Sequence, residues 1–80
     1  MTVRNDGWAI GTAYGFTFQA LVFSEPSENG INNGRVSKLF MLKEGQPVLT
    51  YDRKWKKEAA CKMTLAISMK LLSALEELPS

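Results

Sequence analysis

An 80-residue chain that is 45% hydrophobic and 22% charged has the composition of one small globular domain, and disorder is excluded by the apolar content. Ten basic and eight acidic side chains leave a formal charge of only +2, so any nucleic-acid role must rest on a local patch. With no histidine and a single cysteine, Cys61, the chain lacks the usual general base, imidazole metal ligands, an internal disulfide and a thiolate cluster.

In chain order, Trp8, Ile10, Thr12 and Tyr14 alternate with Ala9, Gly11 and Ala13, the period-two pattern of a strand. Gly15 supplies a turn, and Phe16, Phe18, Ala20 and Val22 then share one face with Thr17 and Gln19 opposite, which predicts an antiparallel hairpin. The polar stretch Ser24 to Gly34 reads as an ordered loop: Pro26 blocks a strand, Asn29-Gly30 and Asn33-Gly34 favour positive φ, and Ile31 is the buried anchor. A third strand runs from Arg35 to Lys43, its imperfect alternation calling for a bulge or for cover on both faces. Glu44-Gly45-Gln46-Pro47 turns the chain into a fourth strand that ends near Asp52.

From about Lys57 to Leu78 there is no glycine or proline, and Ala, Leu, Met, Lys and Glu dominate, which predicts a helix stopped by Pro79. Ala60, Met63, Ile67, Leu71, Ala74 and Leu78 form one apolar stripe, Cys61, Leu65, Met69 and Leu72 a second, and Thr64, Ser68 and Leu75 lie between. The arc spans roughly 200°, about twice what one side of a sheet covers. The expected fold is α+β: one domain over 1–80, a four-stranded antiparallel sheet (strands about 7–14, 16–24, 35–43 and 47–53) followed by one C-terminal helix, about 57–78. The N-terminus carries no signal-peptide stretch and no run reaches the length of a membrane span, so a cytoplasmic location in a host cell is expected, with no membrane partner.

Three stretches are candidate sites. Arg53, Lys54, Lys56 and Lys57 surround Trp55, a set able to neutralise phosphates and stack a base; the plainer reading makes Trp55 a plug at the strand–helix junction with solvated cations. The loop Glu25 to Arg35 offers backbone amides and the Arg35 fork to an anion, against the plainer reading of a turn that joins two strands. The helix stripe Cys61, Leu65, Met69 and Leu72 needs a cover, which a second copy of the helix or a target protein would supply. No carboxylate pair or phosphate-loop pattern points to catalysis, Glu76 and Glu77 read as solvated helix-end residues, and no cofactor or metal is called for.

The runs Phe23-Ser24-Glu25-Pro26-Ser27, Gly30-Ile31-Asn32-Asn33-Gly34-Arg35-Val36-Ser37-Lys38-Leu39 and Tyr51-Asp52-Arg53-Lys54-Trp55 resemble a family of small uncharacterised proteins common in phages and mobile elements of Gram-positive bacteria. The resemblance covers roughly Trp8 to Trp55; Asn33 and Lys54 stand where family members commonly carry glycine. It implies a genetic setting and no reaction. The expectation is a non-enzymatic phage-type accessory protein, homodimeric through its helix, that binds and blocks a host protein such as an antiviral-defence component. The alternative is a nucleotide or single-stranded nucleic-acid binding module using Arg35 and the Arg53–Lys57 segment.

Overall fold

Tight turns dictate the topology. Tyr14 and Gly15 take φ of 53° and 84°, and Glu44 and Gly45 take 53° and 80°, the left-handed pair that matches the twist of a two-residue hairpin. In the computed structural model, which describes residues 1–79, these turns produce an antiparallel meander with strands adjacent in chain order. The strands are β1 (Thr2–Val3), β2 (Trp8–Ala13), β3 (Phe16–Val22), β4 (Val36–Lys43), β5 (Gln46–Asp52) and β6 (Trp55–Lys57), and one helix follows, α1 (Lys62–Glu76).

The class is α+β, as expected, but the sheet has six strands and not four. The two additions are short edge strands: β1 pairs with β2, and β6 pairs with β5. The chain reverses at Asp52-Arg53-Lys54, where Arg53 adopts φ 62° and donates its backbone N–H to the Ser37 carbonyl at 2.9 Å. Of the residues expected to open the helix, Lys57 belongs to β6 and residues 58–61 form the connection, so α1 begins at Lys62, after Cys61 in an extended N-cap conformation. The irregular alternation of β4 resolves into bulges, with register shifts at Leu21/Val22 against β3 and at Met41/Leu42 against β5.

One sheet face and the helix enclose the core: Ala9, Phe16, Phe18, Ala20, Leu39, Met41, Leu49 and Tyr51 from the strands, with Leu71 and Leu75 above them. The helix presents the seam between its two apolar stripes, for its buried residues are Thr64, Ser68, Leu71 and Leu75. Small side chains at 64 and 68 let the first turns approach the sheet closely. Their hydroxyls stay bonded locally, Ser68 donating to the Leu65 carbonyl at 2.7 Å and Thr64 lying 3.2 Å from Cys61 Sγ. Both stripes therefore end on the flanks: Ile67, Leu72 and Leu78 are partly buried, while Met63, Leu65 and Met69 are exposed. No helix among the described residues is long and apolar enough to cross a membrane.

On β2 the small residues point inward. Ala9, Gly11 and Ala13 pair with Ala20, Phe18 and Phe16, so the phenylalanines fill the space beneath the helix; a Cβ on Gly11 would sit 3.3 Å from the Phe18 ring. Trp8 and Ile10 are thereby turned to the face that α1 does not cover.

Candidate docking groove between the helix and the sheet edge

The loop after β3 is built from close approaches. Ser27 N–H donates to Gly34 O, Gly30 N–H to Ser27 O and Asn33 N–H to Gly30 O, each at 3.0 Å, around a 3-10 turn at Ile31–Asn33. Ile31 is the buried anchor that its position in the polar stretch suggests. The expected positive φ is found at Asn33, at 58°, and also at Asn32, at 56°, while Gly30 and Gly34 are extended. These glycines are required for space, since a Cβ on Gly30 would lie 2.0 Å from the Gly34 carbonyl oxygen. The Tyr51 hydroxyl donates to Asn29 O at 2.9 Å and ties the loop to β5. Tyr51→Phe is expected to cost about 1 kcal/mol in a urea melt, the worth of one such bond.

Arg35, a sequence candidate for ligand contact, is committed to the fold. Its Nε donates to Phe23 O at 2.8 Å, and its Nη1 donates to Glu76 O at 2.9 Å and to Leu78 O. Its backbone N–H donates to both carboxylate oxygens of Glu76, at 2.9 and 2.8 Å, and Val36 N–H reaches Glu76 Oε2 at 3.2 Å. Glu76 is thus no solvated helix-end residue: it and Arg35 cap each other's backbone, satisfying C-terminal carbonyls of α1 and amides at the head of β4.

The other candidates divide by face. Tyr51 pairs with Trp55, and the Trp55 ring meets Tyr51 edge-on with centroids 5.0 Å apart, which places the indole on the helix side. Lys57 pairs with Thr50 and so stands on the opposite face. Arg53, Lys54 and Lys56 are exposed beside them, and Arg53 lines a hollow with Lys38 on that opposite side. The cluster that looks continuous in sequence is therefore divided between two surfaces.

Trp55 instead joins the second helix stripe. Trp55, Leu65, Met69 and Leu72, with Ile31, Asn32, Leu39 and Ser68, line a groove of about 230 Å³ between α1 and the β6 edge. A second depression, bounded by the same Ile31, Asn32, Met69 and Leu72, carries it on past Gly34 to Glu76. Three of its large apolar side chains stay exposed: Trp55 by 44%, Leu65 by 50% and Met69 by 62%. A monomer gains nothing by holding these together in water, and a concave apolar surface is the form of a docking site.

A family model described as a domain of unknown function, DUF7678, matches residues 7–76. The chain belongs to that family. The DUF7678 span takes in the Arg35–Glu76 clamp and every residue that lines the groove. No curated protein and no solved structure matches the chain.

Cys61, the fourth member of the expected stripe, is exposed and does not line this groove. Its thiol is held below the ordinary cysteine pKa, first by the hydrogen bond with the Thr64 hydroxyl and then by the Thr64 backbone amide. The midpoint of iodoacetamide alkylation against pH should accordingly lie below that of a free cysteine and rise toward it in Thr64→Val. A midpoint that does not move would remove the hydroxyl as the cause.

Proposed function

We propose that this member of DUF7678 is a non-enzymatic accessory protein of the phage type, which acts by seating a segment of a host protein in the α1–β6 groove and blocking it. The reading rests on one observation: Trp55, Leu65 and Met69, from two elements distant in sequence, are exposed together along a common concavity. The occupant this favours is an apolar anchor carried on an acidic segment, because Lys54 and Lys56 are exposed on either side of Trp55. A defence component of the host is the class of target that a phage setting favours. No catalytic step is part of this reading, and stoichiometric binding is the mode of action.

Before it meets a target, the same flank pairs with a second copy about a two-fold axis, so that self-association and target docking exclude each other. Sedimentation at tens of micromolar should show a dimer, and Leu65→Glu with Met69→Glu should give folded monomers whose melting temperature no longer depends on protein concentration. Both positions are half or more exposed in the monomer, so the charges strain only the assembled contact. A wild-type protein already monomeric at that concentration rules out the self-pairing; target binding that survives both substitutions rules out the groove.

A further inference from the structure

The sheet face left bare by α1 carries a second, independent set of side chains. Cross-strand partners share a face, and the register assembles two adjacent rows: Trp8, Leu21, Lys38 and Asp52 in one, Ile10, Gln19, Phe40, Thr50 and Lys57 in the next. The Trp8 and Phe40 rings lie near-parallel, 18° apart in plane with centroids separated by 6.4 Å, and both are partly exposed. Two near-parallel, partly exposed aromatic rings on an open sheet can receive bases with no demand on sequence.

Cations outnumber acids at this surface. Lys38 and Lys57 stand in the same rows as the aromatic pair, and Arg53 follows Asp52 at the end of β5. Asp52, the acid in these rows, holds Lys38 in a partly exposed ion pair at 3.8 Å that a phosphate would replace. Asp6, near Trp8, is already paired with Arg4 at 2.8 Å. At the corner of the face, Lys38 and Arg53 line a hollow of about 220 Å³ together with Asn29 and Ser37. Ser37 is buried, and its hydroxyl has no hydrogen-bond partner. Two cations around one hollow suit a phosphate group. The net charge of +2 is small, yet a polyanion meets the local excess and not the total.

We infer that the open sheet face binds single-stranded nucleic acid, with Trp8 and Phe40 stacking bases and Lys38, Arg53 and Lys57 contacting phosphates. The site is distinct from the α1–β6 groove and does not depend on it. Trp55, on the helix side, takes no part.

With one tryptophan on each side of the sheet, each reports its own face. The probe is a fluorescein-labelled oligothymidylate of about 12 nucleotides, within the usual length of a single-strand site. Trp55→Phe, which keeps Trp8 as the reporter, should show quenching on titration. Trp8→Phe, which keeps Trp55, should bind with unchanged fluorescence. Three phosphate contacts predict about a 20-fold loss of affinity as salt rises from about 50 to about 200 mM. Phe40→Ala should weaken binding by about 5- to 150-fold, the measured span of one base–aromatic stack. Lys57→Glu, at an exposed position that leaves the fold intact, should weaken it at least as much at low salt. Absence of binding at about 50 mM salt overturns the proposal. So does quenching of Trp55 in place of Trp8, or a wild-type dimer that Trp8→Glu dissolves, which would assign this face to a second copy.

Discussion

Glu76→Ala is expected to destabilise the protein by about 2–4 kcal/mol, a large part of what a domain of this size holds. The carboxylate accepts from Arg35 N–H and Val36 N–H, and its loss leaves two partly buried amides without partners. The Arg35 guanidinium keeps its own bonds, which go to the backbone carbonyls of Phe23, residue 76 and Leu78. Glu76→Gln keeps one acceptor oxygen and should lose about half as much. Gly34→Ala attacks the same clamp from the other side, since its Cβ would sit 2.4 Å from Glu76 Oε2 and expel the carboxylate. Urea melts of the three variants should rank Glu76→Ala and Gly34→Ala together, with Glu76→Gln milder. A Glu76→Ala melt within about 0.5 kcal/mol of wild type would mean that water replaces the carboxylate and that α1 is held by packing alone.

Leu75→Ala should cost about 3–5 kcal/mol, at the upper end of leucine truncations. Leu75 is the one fully buried side chain of α1, and with Leu71 it is what the helix contributes to the core. Its neighbours Leu71, Leu72 and Leu78 are already packed on the core, so any of them that moved in would leave a space of its own. The variant should lose helical circular dichroism early in a thermal melt and expose Phe16 and Phe18, read as dye binding. By contrast Met69→Ala, at a 62% exposed position on the same helix, should leave the melt within about 0.5 kcal/mol of wild type. If Met69→Ala were the more damaging of the two, the rotation of the helix on the sheet described here would be wrong.

Much of this fold is legible in the residues because local signals and packing agree. The alternation Phe16, Phe18, Ala20 and the turn at Tyr14-Gly15 each name their element, and the structure has them as read. What misleads is a signal that only the third dimension completes. Trp55-Lys56-Lys57 runs into a helix-forming sequence and reads as the junction before it, yet Asp52-Arg53-Lys54 bends it back onto β5 as a strand. Trp8 and Ile10 look like the core face of β2 by size alone. The register with Phe16 and Phe18 decides otherwise, because two phenylalanines under a close helix leave room only for Ala9, Gly11 and Ala13.

The candidate sites show the same limit. Arg35 reads as a free fork donor and Glu76 as a solvated helix-end acid, since nothing in a linear chain reveals that residues 41 apart will meet. Trp55 and the stripe of Leu65, Met69 and Leu72 each announce themselves as surfaces, but their convergence on one groove depends on how α1 lies over the sheet. The Trp8–Phe40 pair left no sequence signal as a site; only the face left open by the single helix exposes it.

The most direct test of the docking groove is native mass spectrometry of the protein after incubation with lysate of a Gram-positive host, run in parallel on wild type, on Leu65→Glu with Met69→Glu, and on Trp8→Ala. The account predicts a stoichiometric complex with one host polypeptide for wild type and for Trp8→Ala, and its loss in the doubly substituted chain. A polypeptide retained by the doubly substituted chain, or lost only with Trp8→Ala, would contradict the groove as the site of docking.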